Sequence, residues 1–262
     1  MPRNRSLMAG AMVAVLAVAA AGFGGWYFFI RGDEPPPVNL ADAVAAASTA
    51  TVSAPASGGA ATTSTATATA IATESGGGSS SAPAEGDLSG TWTVDAANSF
   101  VGYRIDEELA RIGSTTAVGR TSDVTGTLEF DGSTITSVDV TADLSTLQSD
   151  DDRRDGQLKR QALETNEFPE ASFVLTDPIA IEGDPASGEP ISATAVGDLT
   201  IHGVTNRVEL ALQGQLVDGR VVVVGSTVIV LADYDIEQPS SIAVLSVSEE
   251  GTMEMQLVFV RA

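Results

Sequence analysis

The chain predicts an all-β antiparallel domain, a closed barrel or a sandwich with one short helix, preceded by a single transmembrane helix and a disordered linker. Three observations predict it. Apolar and polar residues alternate from Asp87 onward, Asp-Gly and His-Gly pairs punctuate the alternation, and an uncharged apolar run followed by low-complexity sequence comes first.

The first segment is residues 1–31. Residues 7–30 carry no charged side chain, a run of 24 residues; about 20 suffice to cross the hydrocarbon core as a helix. Arg3 and Arg5 precede the run, and Arg31, Asp33 and Glu34 follow it. Positive charge is richer before the span, which puts the N-terminus in the cytoplasm and the remainder outside, in the periplasm or at the cell surface. Trp26 and Tyr27 sit at the outer end, where amphipathic rings favour the headgroup region. A cleaved signal peptide is the competing reading. Its apolar region runs about 7–15 residues, so the longer run here favours an uncleaved signal-anchor and a single-pass protein of the cell membrane.

Residues 32–86 are rich in Ala, Ser, Thr, Pro and Gly. A stretch with so few large apolar side chains does not bury enough surface to offset the entropy of ordering, and it reads as a disordered linker. Behaving as flexible coil, it would reach roughly 40 Å. Residues 41–47 favour a transient helix, with nothing evident to drive its packing.

Residues 87–262 form the folded unit. Val204, Val208, Leu210, Leu212 and Leu216 share one face of a strand, against Thr205, Arg207, Glu209, Gln213 and Gln215 on the other. Met253, Met255, Leu257 and Phe259 repeat the pattern. Ala195 and Gly197 with Leu199 and Ile201, Leu128 with Phe130, Val101 with Tyr103 and Ile105, Phe173 with Leu175, and Val138 with Val140 extend it. Asp131-Gly132 and Asp218-Gly219 fall between apolar runs and signal hairpins, and His202-Gly203 signals a tight turn. Residues 221–231 are apolar on both faces, as in a strand covered on both sides. Residues 150–163 break the alternation with charge and few β-branched side chains, and read as the short helix, its aspartates near the positive N-terminal end.

Composition excludes several functions. The formal net charge is −22, with 35 acidic residues, and nearly all of it lies in the folded unit. Such a surface repels phosphate backbones and argues against nucleic-acid binding. The absence of Cys removes disulfides, thiol nucleophiles and Cys-ligated metal centres. No Walker loop, Rossmann fingerprint, zincin motif or Gly-x-Ser-x-Gly elbow occurs. His202 is the sole histidine and reads as a turn residue. Asp150, Asp151, Asp152 and Asp155 lack EF-hand spacing and read as solvated charge at the helix terminus. No cofactor, no metal site and no catalysis are expected.

A set of motifs then resembles the YceI-like family of periplasmic polyisoprenoid-binding proteins, which have lipocalin-like barrels. Residues 90–95 (GTWTVD) and 99–103 (SFVGY) resemble its opening strands. Residues 153–159 (RRDGQLK), 167–173 (EFPEASF) and 197–205 (GDLTIHGVT) resemble later segments, and the last match is the most specific. Asn98 stands where the family often has His, and residues 231–235 (LADYD) lack an Arg and a Gly. The resemblance implies a lipocalin-like β-barrel whose inward residues enclose a long-chain isoprenoid or other apolar lipid, for carriage or sequestration. Each buried CH₂ is worth about 0.8 kcal/mol, so a long chain binds without many specific contacts. The inward set is Val101, Tyr103, Leu128, Phe130, Val138, Val140, Phe173, Leu175, Leu199, Ile201, Leu210, Leu212, Met255, Leu257 and Phe259. Arg153, Arg154, Lys159 and Arg160 form the one basic cluster of the domain and are candidates for a headgroup. The alternative is a filled barrel that binds no lipid and serves protein interaction or a stress response.

Overall fold

The computed structural model describes residues 34–50, 87–111, 113–239 and 244–262. Two α-helices and eleven strands, with short 3-10 turns between them, are present among these residues. Helix α1 is Leu40–Ala50. The strands are β1 Gly90–Val94, β2 Phe100–Leu109, β3 Gly113–Thr121, β4 Val124–Phe130, β5 Thr134–Asp143, β6 Glu170–Asp177, β7 Ile179–Ala180, β8 Ile191–Ile201, β9 Val204–Val217, β10 Arg220–Val230 and β11 Val244–Arg261. Helix α2, Asp152–Gln157, continues as a wider turn over Leu158–Ala162.

The eight strands β1, β4, β5, β6, β8, β9, β10 and β11 pair antiparallel in that order, and β11 pairs back to β1 to close a barrel. Closure leaves no edge among these strands, which is how an all-β domain avoids unpaired backbone groups. The alternation sets the register. Phe173 lies opposite Leu199 and Val140, and Ala195 opposite Leu210, so apolar partners face inward together. The turns are those their residues favour. His202 and Gly203 both have positive φ (53° and 74°), as do Asp218 and Gly219 (50° and 74°). Two successive left-handed residues make the two-residue turn whose twist matches a hairpin.

One strand serves two halves of the barrel. The C-terminal end of β11 pairs with β1, with Val94 opposite Phe259, whereas its longer N-terminal part pairs with β2, with Met255 opposite Val101. β2 and β3 form an outer hairpin that departs from the ring, and β3 meets the segment before α2 through paired Arg120 and Gln148 amides. The barrel is therefore tightly closed at the β1 end and splayed at the β2–β3 end.

Residues 34–50 correct the linker expectation. They are ordered against the outer wall. Asn39 caps α1 by accepting from the Asp42 amide at 2.9 Å. Leu40, Ala43 and Ala47 then fall on one face and are buried on Val222, Val224 and Val258. Methyl-sized side chains suffice there, because a flat valine surface lets a helix with small residues approach closely; large apolar residues were not needed. This is the cover that the doubly apolar β10 required. Upstream, Arg104 and Arg120 donate to the carbonyls of Pro35 and Pro36, at 2.6 and 3.2 Å, and both pair with the buried Glu254, at 3.0 and 3.4 Å. Glu34 accepts from the Thr115 hydroxyl and the Thr116 amide, at 2.9 and 3.0 Å. The rest of the linker, 51–86, and the apolar run at 7–30 lie outside the described residues. Among the described residues no helix is long and apolar enough to cross a membrane.

Candidate functional site

The barrel interior divides into two chambers. The deep one, at the closed end, has a volume of about 190 Å³ and a wall that is almost wholly apolar. Trp92, Phe130 and Phe259 are among its buried wall residues. Trp92 donates its indole N–H to the Leu88 carbonyl at 3.1 Å, which turns the ring's apolar body to the chamber. The second, a vestibule of about 1030 Å³, lies at the splayed end. Val101, Ala171 and Met253 line both and form the neck between them. Met has three rotatable bonds and a polarizable sulfur, so this neck is adaptable.

Most of the inward set lies around the deep chamber: Val101, Leu128, Phe130, Val138, Val140, Phe173, Leu199, Leu210, Leu212, Met255, Leu257 and Phe259. Tyr103 and Ile201 line the vestibule instead. Leu175 borders neither and packs against the cluster of Ile179, Ala195 and Leu210. Sequence reasoning set Ala195 on an inward strand face without counting it among the lining and did not single out Ala193, Ile179 or Val223; all four line the deep chamber. The alternation of β8 carried that signal for Ala193 and Ala195, whereas Val223 lies in β10, whose run of valines is apolar on both faces, and Ile179 sits in a two-residue strand too short to show a period.

The vestibule wall mixes strand and connection. Tyr103 reaches it because Gly119, its cross-strand partner, has no side chain; a Cβ there would come within 2.4 Å of the ring. The Tyr103 hydroxyl is buried and has no hydrogen-bond partner among the described residues. Burial pushes its pKa up, with Arg154 working in the opposite direction. Such an orphan is a ready contact for a polar group entering the vestibule.

Of the four headgroup candidates, Arg153, Arg154 and Arg160 line the vestibule, and Lys159 does not. Arg111, which sequence reasoning missed, joins them from the β2–β3 tip. Arg154 is committed. It pairs with buried Glu107 at 2.6 Å and also with Asp150. Burial opposes its charge, but the two carboxylates outweigh that and hold its pKa above the usual value. Glu107 continues the inward parity of Val101, Tyr103 and Ile105, so the alternation had placed a carboxylate inside. Arg153 and Arg160 are exposed and form no ion pair among the described residues.

The remaining polar candidates serve the scaffold. His202 is held between the Tyr234 carbonyl at 3.2 Å and Glu164 at 3.1 Å, with its ring edge-on to Phe168 at 4.6 Å. It ties the β8–β9 turn to the segments before β6 and after β10. Asp151 caps α2 by accepting from the Arg153 amide at 2.7 Å, Asp155 accepts from the Ser149 amide and hydroxyl, and Asp150 faces Arg154. These carboxylates point to three different partners and do not converge. Among the described residues no group of three or more His, Asp or Glu is placed to hold a metal ion.

The sequence profile of the YceI-like domain matches residues 92–259. Three solved structures are similar to the chain. A polyisoprenoid binding domain from Saccharophagus degradans, implicated in plant cell wall breakdown, superposes with a TM-score of 0.51 at 19% identity, over 65% of this chain and 98% of its own. Burkholderia cenocepacia BcnA gives a TM-score of 0.49 at 19% identity, over 63% and 98%. The Campylobacter jejuni YceI protein gives 0.41 at 17% identity, over 53% and 82%. At 19% identity the likeness to the Saccharophagus domain is one of fold. No curated protein sequence matches the chain.

Proposed function

This chain belongs to the YceI-like domain family, and from that premise we propose that it is a membrane-tethered extracytoplasmic protein that holds a long-chain apolar lipid, a polyisoprenoid or similar, inside its barrel for carriage or sequestration. The observation that carries the reading is the apolar deep chamber joined through an adaptable neck to a larger vestibule with charge at its rim. The described Saccharophagus domain, named for polyisoprenoid binding, supports the ligand class. Volume decides how a ligand would sit. Pockets for drug-sized ligands measure about 300–1,000 Å³. The deep chamber falls below that range and the vestibule at its top, so a long chain occupies both, its apolar end below the Met253 neck and its polar end near Tyr103 and Arg153.

The tether rests on residues 7–30, whose uncharged run and flanking charges fit a signal-anchor with the barrel outside the cytoplasm. No reaction is proposed: the one histidine is held in a turn, and the chamber wall carries no nucleophile beside a base. The small deep chamber gives the second reading its one support, since a filled lower barrel would leave only the vestibule to take a partner.

Trp92 reports on the choice. It lines the deep chamber, and the chain's only other Trp is Trp26. In the full chain carrying Trp26→Phe, titration with a long-chain isoprenoid alcohol is expected to shift Trp92 emission and saturate at one ligand per chain. Emission unchanged at all ligand concentrations would overturn the lipid reading.

A further inference from the structure

We propose that the vestibule mouth is an interaction surface for a lipid bilayer, held toward the membrane by the ordered strap of residues 34–50, so that ligand passes between bilayer and vestibule without crossing open water. The proposal rests on the tether reading above and adds an orientation to it.

Three observations carry it. First, the strap meets the barrel at the vestibule end. Glu34 sits on Thr115 and Thr116, which lie opposite Glu107 and Asp106, within a few residues of the β2–β3 tip whose Leu109, Ala110 and Arg111 line the vestibule. Second, the strap is fixed rather than draped. Arg104 and Arg120 grip two successive proline carbonyls, and buried Glu254 holds both guanidinium groups in place. Third, little chain remains between this anchorage and the apolar run. Only four residue steps separate Ile30 from Glu34, a reach of about 14 Å at full extension. A free linker of the whole 32–86 stretch would have allowed roughly 40 Å. Residues 51–86 then connect two points on the barrel, Ala50 and Asp87, and do not set its distance from the membrane.

The mouth suits such a neighbour. Leu245, 65% exposed, lies beside Val244 on β11, opposite the Leu109 end of β2, and Val228, 60% exposed, lies one β10 position before wall residue Ile229. They are two of the three large hydrophobic side chains left exposed among the described residues. The strongly acidic domain offers little attraction to anionic lipid, so the covalent strap, and not surface charge, supplies the orientation.

The chain has no cysteine, so single labels are unambiguous. The full chain, carrying Leu245→Cys at the mouth or Ser133→Cys at the opposite end, is labelled with a fluorophore and reconstituted into phosphatidylcholine vesicles containing a nitroxide-headgroup lipid. Quenching is expected to be severalfold stronger for Leu245→Cys. A long Gly/Ser spacer inserted between Asp33 and Glu34 is expected to remove the difference while the protein still floats with the vesicles. Equal quenching, or stronger quenching for Ser133→Cys, in protein that floats with the vesicles would overturn the orientation and leave the tether standing. Protein that stays at the bottom of the flotation gradient would overturn both.

Discussion

Below the neck formed by Val101, Ala171 and Met253, almost every wall residue comes from a strand and faces inward by simple alternation; above it, the wall is half strand and half connection. The deep chamber is almost wholly aliphatic and aromatic carbon, with Ser172 and Gln215 its polar wall residues. The vestibule has a buried ion pair, an orphan hydroxyl and exposed arginines. On the proposed function, the difference would separate two tasks of one cavity: non-directional burial below would reward length of apolar chain, while directional groups above would discriminate among polar ends.

The sharpest break of that contrast comes at the floor. Phe259→Ala removes a fully buried ring from the deep chamber and is expected to cost about 3–5 kcal/mol of stability, read by denaturant unfolding. A loss below 1 kcal/mol would mean that the closed end is loosely packed. In the vestibule the arginines should divide. Arg154→Met leaves Glu107 buried without its partner and is expected to cost about 3 kcal/mol, whereas Arg153→Met at an exposed site stays within about 0.5 kcal/mol. Equal costs would contradict the assignment of Arg154 to the scaffold. On the outer wall, Leu40→Ala is expected to cost about 2 kcal/mol and to raise amide exchange in α1; a free linker would show neither. Tyr103→Phe removes a hydroxyl with no partner, so the lipid-free protein should be unchanged or stabilised by up to about 1 kcal/mol. A clear loss would reveal a partner for that oxygen.

The smallest effect lies in the β4–β5 turn at the closed end. The Ser133 amide, then that of Thr134, holds the Asp131 carboxyl below its usual pKa. A lowered folded-state value stabilises the turn above the ordinary carboxylate pKa, and that contribution fades as pH falls through the folded value. Asp131→Asn should therefore lower Tm slightly near neutral pH and hardly at all in strong acid. A deficit that grows as pH falls would contradict the sign.

The deep chamber was legible because alternation is local: Leu210, Leu212, Met255, Leu257 and Phe259 declare their face within a few residues. The vestibule was less so. Its Arg111, Ile236 and Pro239 sit in connections, where no period reports the side a residue faces, and only the fold brings them to α2. Lys159 shows the converse error, since charge clustering in sequence did not put it on the same wall as Arg160. The strap was misread for an energetic reason. Whether Leu40, Ala43 and Ala47 pay the entropy of ordering depends on the valines of β10 and β11, some 180 residues or more away in the chain. The doubly apolar β10 asked for a cover, but nothing local named α1 as that cover.

The most direct test is native mass spectrometry of the full chain, with lipid extraction from the same sample, beside the cavity-filling variant Leu212→Trp. One long-chain lipid per chain in the wild type, lost in a variant of native fold, is the predicted result. A wild-type chain without lipid that takes up none of the isoprenoids offered, or a variant that retains lipid as well as the wild type, would contradict a ligand held in the deep chamber.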